Sequence, residues 1–314
     1  MTLHVIVGSG PVGSATAMRL AEQGHHVRLL SRSGGGPAVE GVERVTADAT
    51  DTQRLASLLR RAEALYDCAS PPYHRWATDW PPLAAAMLAA AERAGVVLVT
   101  MGNLYGYGPV DHPISERDPL RPTGPKGRVR AAIWTQALAA HQAGRVRVTE
   151  ARASDYFGPG ARQQSHLGQR SVPRLLRGRP VRVFGDPDAP HSWTYLPDIA
   201  AALATLGTDQ RAWGRAWHVP TNPPMRQREV FGVLARLAGV PTPSVRAMAA
   251  WQLRVARAFV PFVRELEEVG YQFQRPFVLD SSAYQTTFGT RPTPMQDALA
   301  ATLAWWIGQG RAAA

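Results

Sequence analysis

Six residues near the amino end, Gly8-Ser9-Gly10-Pro11-Val12-Gly13, restrict the fold more than any other part of the chain. They lie between an apolar run, Leu3 to Val7, and a helical pattern, Gly13 to Gln23; a second apolar run, His26 to Leu30, precedes a Gly34-Gly35-Gly36-Pro37 turn. Strand, glycine turn, helix and strand in this order form a βαβ unit, which is compact only when the strands are parallel and helices cover them. Glycines at this spacing allow a tight turn and a close approach of backbone to a pyrophosphate. The free N–H groups and positive dipole end of the following helix favour the same charge. Alone the spacing is a weak signal; between a strand and a helix it is a strong one.

Alternation continues downstream. Strands are expected at Val42 to Thr46, Ala64 to Cys68, Val96 to Thr100 and Arg145 to Arg152, with helices at Asp51 to Arg61, Pro82 to Ala94 and Arg128 to Ala143. The fold class is therefore α/β, a doubly wound parallel sheet of Rossmann type with helices on both faces. After Gly158-Pro159-Gly160 the pattern loosens, with helical runs near Val172 to Leu176, Asp198 to Leu206, Gln227 to Ala238 and Ser244 to Phe259. The expected division is a dinucleotide-binding domain of 1–165 and 191–220, and a smaller substrate-binding region of 166–190 and 221–314. At 314 residues the chain is long enough for such a pair.

Composition narrows the function classes. Hydrophobic residues make up 45% and charged residues 19%, and no stretch of roughly 18 apolar residues runs unbroken, so no membrane span is expected. The amino end enters a strand without the basic and apolar segments of a secretory signal, which makes the cytoplasm the expected compartment. One cysteine, Cys68, allows neither an internal disulfide nor a thiol metal cluster. No His-x-x-x-His spacing occurs, so no metal is expected. The formal charge of +11 raises the question of nucleic acid, but the arginines are scattered and do not form a basic face, so nucleic-acid binding is not expected. The stripe of Met248, Trp251, Val255, Phe259 and Phe262 among arginines has the form of a membrane-surface helix, but a helix docked on its own protein is preferred.

The end of the second strand reads Leu30-Ser31-Arg32-Ser33, where a protein selective for NAD(H) places an acidic residue on the ribose hydroxyls. An arginine flanked by two hydroxyls suits a 2′-phosphate, because guanidinium makes paired, charge-assisted bonds to phosphate oxygens. NADP(H) is the expected cofactor, with NAD(H) second. Asp48, in Ala47-Asp48-Ala49-Thr50-Asp51, is placed to accept from the adenine amino group, and Asp51 to cap a helix.

These segments resemble the extended short-chain dehydrogenases/reductases, also called the NAD-dependent epimerase/dehydratase family, and the likeness covers most of the chain. Ala47 to Asp51 looks like the family's adenine-contacting segment, and Asp67-Cys68-Ala69-Ser70 resembles the strand end beside the nicotinamide ribose. Leu104-Tyr105-Gly106 is similar to the Val-Tyr-Gly element before the catalytic loop. Arg152-Ala153-Ser154-Asp155-Tyr156-Phe157-Gly158-Pro159-Gly160 is similar to an Arg-Pro-x-Asn-x-x-Gly-Pro-Gly segment near the nicotinamide. Val183-Phe184-Gly185-Asp186 and Trp193 to Ala200 resemble the substrate-domain strand and the Val-Asp-Asp-Val-Ala helix start. The resemblance implies cofactor contacts at Gly8, Gly10, Pro11, Val12, Gly13, Ser31, Arg32, Ser33, Asp48, Ala49, Ala69, Ser70, Arg130, Ser154 and Asp155. It places substrate contacts at Lys126, Met101, Asn103, Tyr156 and His191.

The same resemblance implies hydride transfer in which a tyrosine is acid or base, a lysine four residues later lowers its pKa and binds the ribose, and a serine or threonine orients the substrate oxygen. Here the serine position falls on Met101 beside Thr100, the tyrosine position on Lys126 and the lysine position on Arg130. All three are substituted within an intact element. Arg130 can keep the ribose bond but cannot be deprotonated. Lys126, the sole lysine, has three open roles: a neutral amine relaying a proton, an anchor for an anionic substrate, or a plain surface lysine. Tyr105, Tyr107, Tyr73, His74, Asp155, Tyr156 and His191 are further proton carriers, with packing the competing role for Tyr105 and a satisfied surface position that for His191.

The expected function is an NADP(H)-dependent oxidoreductase or epimerase-like enzyme acting on a small polar or anionic substrate, with Lys126, Arg130, Thr100 and Tyr105 as its catalytic group. The alternative is a non-catalytic NADP(H)-sensing regulatory protein. A homodimer through Pro82 to Ala94 and Arg128 to Ala143 is a further expectation.

Overall fold

A computed structural model of the protein describes residues 1–163, 165–249, 265 and 267–312. Seven parallel strands form the main sheet: β1 (Leu3–Val7), β2 (His26–Ser31), β3 (Val42–Thr46), β4 (Ala62–Asp67), β5 (Val97–Asn103), β6 (Arg147–Ala153) and β11 (Arg215–His218). Their order is β11-β6-β5-β4-β1-β2-β3, so the chain reverses its winding between β1 and β4, where α/β sheets bind ligands. Register aligns the carboxyl ends there: Val7 pairs with Leu30 and with Asp67, and Asp67 with Thr100.

Helices cover both faces. On one face α2 (Thr52–Leu58), α3 (Trp76–Ala94) and α4 (Pro125–Gln142) bury Leu55, Met87, Trp134 and Ala137 against Val5, Val7, Leu65, Leu98 and Val148. On the other face α6 (Leu196–Thr208) lies so close that a β-carbon at Gly207 would stand 2.1 Å from the Tyr66 hydroxyl. Apolar side chains on both faces of β1 follow from this double covering.

The chain forms two compact units. The first is Met1–Gly108, Pro119–Ala153 and Ile199–Val219; the second is Pro109–Asp118, Ser154–Asp198 and Pro220–Ala314. The changeovers fall at Ser154 and Ile199, where the sequence suggested 165 and 191. Short strands β7 (Asp155–Phe157) and β10 (Trp193–Tyr195) pair with each other, and Phe157, Trp193 and Tyr195 enter the second unit's core with Phe231, Leu299 and Trp306.

Two helix expectations change. Helix α3 begins at Trp76, ahead of Pro81 and Pro82, because Trp76 and Trp80 are buried edge to face and anchor the turn the prolines weaken. The helical run expected from Ser244 starts instead as a strand, Val245–Ala247, paired with Val181–Val183; Pro241 and Pro243 hold the approach extended. Trp251, Val255, Phe259 and Phe262 of the amphipathic stripe lie outside the described residues.

Candidate active site

Each glycine of the first turn has its own physical cause. Gly8 has φ +106°, and a β-carbon on it would stand 2.6 Å from the Cys68 carbonyl oxygen. A β-carbon on Gly13 would stand 1.8 Å from the Gly8 carbonyl oxygen, so the helix start leaves no room for one. Gly10, the N-cap of α1 (Pro11–Glu22), differs: nothing lies within 4 Å of the corresponding point. Two glycines are demanded by the protein's own backbone, and the third borders open space at a positive helix end. Pro11 occupies the first helical turn and Val12 is buried.

The neighbouring loops complete this edge. Ser31 Oγ donates to the Gly35 carbonyl, Ala47 N–H donates to the Ser31 carbonyl, and Arg32 is exposed between Ser31 and Ser33. Asp48 accepts from Thr50 N–H at 2.9 Å and from Thr50 Oγ1 at 2.8 Å. These bonds, with a smaller contribution from Arg32, hold its carboxyl below the usual range. Ala49 is buried, and Asp51 caps α2 by accepting from Arg54 N–H. Ala69 N–H donates to Asp67 Oδ1 at 3.2 Å, while Ser70 is exposed. Burial pushes Asp67 up to about 6, opposed by Arg130 and the Ala69 N–H. Burial also pushes the Cys68 thiol up, which suits an unreactive cysteine.

Lys126 and Arg130 lie in an aromatic setting. Lys126 is only 4% exposed, which removes the surface-lysine role, and its Nζ stands 4.6 Å from the centre of the Tyr73 ring. Arg130 is 8% exposed; its guanidinium stands 4.1 Å from Trp80 and 5.6 Å from Trp76, and Nη2 donates to the Met101 carbonyl at 2.8 Å. Arg130 Nε and Nη1 are buried without a partner. Tyr73 Oη donates to Tyr105 Oη at 3.1 Å, Tyr105 stacks on Trp76, and Asn103 Oδ1 accepts from Tyr105 N–H. Thr100 is buried on β5 opposite Asp67. Lys126, Arg130, Met101, Asn103, Tyr105 and Thr100 thus belong to one unit, as do all the cofactor positions up to Arg130.

A buried ionic chain at β6 escaped the sequence reading. Arg152 Nε donates to Glu150 Oε2 at 2.6 Å, Arg152 Nη1 donates to Tyr107 Oη at 2.6 Å, and Tyr107 Oη lies 2.8 Å from His218 Nε2. Arginine only donates, so Tyr107 Oη accepts from Arg152. A β-carbon on Gly102 would stand 2.6 Å from Glu150 Oε1, so a larger residue there would have to displace the buried Glu150 side chain. Two charged residues at i and i+2 toward the end of a central parallel strand, Glu150 and Arg152, were the available signal.

Ser154, Asp155, Tyr156 and His191 belong to the second unit. His191 is not a surface histidine: it is 2% exposed, with Nε2 2.9 Å from Asp155 Oδ2 and Nδ1 3.1 Å from the Gln272 carbonyl, because β10 and the Phe273 ring cover it. The histidine bond offsets the burial of Asp155 and holds its carboxyl below the usual range. His166, which no sequence pattern singled out, has Nε2 3.6 Å from Asp155 Oδ1. Ser154 N–H donates to Thr194 Oγ1, and Ser154 Oγ is buried without a partner. Burial pushes the half-buried Tyr156 hydroxyl up. Among the described residues no group of three or more His, Cys, Asp or Glu is placed to hold a metal, and no helix is long and apolar enough to cross a membrane.

Comparison with known proteins places this geometry. A sequence profile described as the NAD dependent epimerase/dehydratase family matches residues 5–219. The chain belongs to that family. The match runs from the glycine turn through Lys126, Arg130 and the buried chain to the strand bearing His218. Among curated family relatives, a dTDP-glucose 4,6-dehydratase of Streptomyces griseus is 28% identical over 223 residues, 70% of this chain and 62% of the relative. A 2′-dehydrokanamycin reductase of Streptomyces kanamyceticus is 27% identical over 259 residues, 80% of this chain and 71% of the relative. The chain therefore spans under two thirds of the first relative's length. Among solved structures, MoeE5 in complex with UDP-glucose and NAD superposes with a TM-score of 0.80 at 21% identity, covering 100% of both chains.

Proposed function

We propose that this protein is a nicotinamide-dinucleotide-dependent oxidoreductase or epimerase-like enzyme that transfers hydride at a carbon bearing a hydroxyl or carbonyl, on a small polar or anionic substrate. The observation that carries the proposal is the asymmetry of the glycine turn, with Gly8 and Gly13 closed against backbone and Gly10 open above the helix end. The site passes two tests of fit for the dinucleotide. Open space at Gly10 suits a pyrophosphate, and the unpartnered Nε and Nη1 of Arg130 are donors suited to ribose hydroxyls. Gly8 to Gly13 would hold the pyrophosphate, Asp48 and Ala49 the adenine, and Ala69, Ser70 and Arg130 the nicotinamide ribose. Hydride exchange is the chemistry a bound nicotinamide supplies.

NADP(H) is preferred to NAD(H), because no carboxylate ends β2 and Arg32 stands exposed between two hydroxyls. Neighbouring structures solved with NAD make NAD(H) the competing cofactor. The relatives and neighbours act on or bind sugars and sugar nucleotides, and a hydroxylated, sugar-like substrate fits the small polar class.

The loss of all three triad residues supports one other reading, an NADP(H) sensor without turnover. Calorimetric titration with NADPH and NADH, followed by NADPH oxidation against carbonyl compounds, separates the two. NADPH binding with turnover supports the enzyme, NADPH binding with no turnover supports the sensor, and failure to bind either nucleotide refutes both.

A further inference from the structure

The substituted triad removes the family's proton donor, and the first unit offers a replacement. Tyr73, just ahead of α3, and Tyr105, in the turn after β5, are both half-buried, and their hydroxyls share a 3.1 Å hydrogen bond that runs from Tyr73 to Tyr105. Tyr105 is held by stacking on Trp76 and by its N–H bond to Asn103; Tyr73 packs edge to face on the same tryptophan. Lys126 approaches the face of the Tyr73 ring. An aromatic face attracts the ammonium form and not the neutral amine, so Lys126 is suited to supply charge and unsuited to relay a proton.

Its place in the helix runs against that charge. Lys126 lies in the first turn of α4, where the helix dipole disfavours a cation, and it is buried there. A local rule broken in this way marks functional positions. With Arg130 one turn on, the helix start presents two cations that attract an oxygen gaining negative charge.

We propose that the paired hydroxyls of Tyr105 and Tyr73 deliver the proton in the carbonyl reduction, while Lys126 remains an ammonium ion that stabilises the developing oxyanion; this rests on the function proposed above. In the step the carbonyl carbon gains a hydride from the reduced nicotinamide, and the C=O π pair moves onto oxygen. That oxygen takes the Tyr105 hydroxyl proton. The Tyr105 oxygen regains a proton along its bond from Tyr73, and Tyr73 regains one from water. The sum is carbonyl, reduced nicotinamide and one proton giving alcohol and oxidised nicotinamide, and the reverse direction runs the same chain backward.

The test uses the full chain and the variants Tyr105→Phe, Tyr73→Phe, Tyr73→Leu, Lys126→Met and Lys126→Arg. NADPH titration comes first, and wild type and both phenylalanine variants bind alike. A wild type that fails to bind fails the function proposed above, not this step. Single-turnover NADPH oxidation with phenanthrenequinone then falls about 100-fold or more in Tyr105→Phe and by less in Tyr73→Phe, whose solvent deuterium effect also changes. Lys126→Met loses turnover, and Lys126→Arg, keeping the charge, recovers part of it. A readout independent of turnover uses the single lysine: reductive methylation with labelled formaldehyde gives one internal dimethyl-lysine NMR signal. The Tyr73 ring displaces that signal in wild type, and Tyr73→Leu returns it to the position of an exposed lysine. The assignment is overturned by a wild type that binds NADPH and leaves the quinone unreduced, by phenylalanine variants that reduce it as fast as wild type, or by a lysine signal indifferent to Tyr73→Leu.

Discussion

Gly10→Ala separates a ligand-imposed glycine from a fold-imposed one. Gly10 has φ −69° and ψ −175°, which alanine adopts without strain, and no atom lies within 4 Å of the point a β-carbon would occupy. Two small terms act on stability in opposite directions. Alanine restricts the unfolded chain, a gain of about 0.4–1 kcal/mol, and is a poorer N-cap than glycine, a loss of roughly the same size. Folding stability should therefore stay within about 1 kcal/mol of wild type. Nucleotide binding should not. A methyl group forced into the closest approach of backbone to pyrophosphate costs about 1–3 kcal/mol, which weakens NADPH binding roughly 5- to 150-fold. Gly13→Ala is the control, since its β-carbon meets the Gly8 carbonyl at 1.8 Å and the folded state itself must yield. Urea unfolding and NADPH titration on the three proteins give the answer. If Gly10→Ala binds NADPH as tightly as wild type, the pyrophosphate does not cross Gly10 and the placement of the cofactor is refuted.

Three further outcomes follow from the geometry. Arg32→Ala should weaken NADPH binding by about 1.5–3 kcal/mol, the worth of hydrogen bonds to a charged partner, and leave NADH within about 2-fold; equal losses for both nucleotides in calorimetry would remove the 2′-phosphate contact. Arg152→Met strands the buried Glu150 carboxylate and should cost about 3–5 kcal/mol in urea unfolding, whereas a loss below about 1 kcal/mol would mean that the carboxylate finds another partner. Asp67 holds its proton to about pH 6 in the folded chain and near 3.9 when unfolded. The folded state therefore binds more protons between these values, and the contribution to stability falls as pH rises through them. Asp67→Asn should flatten the pH dependence of the unfolding midpoint from about 4 to 6, and an unchanged slope would assign that dependence elsewhere.

The sheet was legible because its strands are covered on both faces. Leu3 to Val7 and His26 to Leu30 carry Val5, Ile6, Val7, Val27, Leu29 and Leu30, all buried, and the glycine turn and helix between them set their parallel sense. Much less of the triad region could be read. Spacing places Lys126 and Arg130 one turn apart, but their burial depends on Trp76 and Trp80, from a helix whose two prolines hide its true start, and on Tyr73 just ahead of it. Glu150 and Arg152 were hidden for a related reason: a charge inside a strand looks like surface until its partners are known, and His218 lies 66 residues from Arg152. His191 looked like surface because the residues that enclose it, Gln272 and Phe273, arrive more than eighty residues later.

The interleaving of the two units also bears on synthesis. A chain emerging amino end first presents β1 through β6 in sequence, but the outer partner of β6, β11, follows only at Arg215–His218. Until then β6 is an outer strand with unsatisfied backbone groups, and Tyr107, already within reach of Arg152, lacks its histidine 111 residues further on. A chain released before residue 219 would keep the whole glycine turn and still expose an adhesive edge, so truncated forms should aggregate even though every residue expected at the pyrophosphate is present.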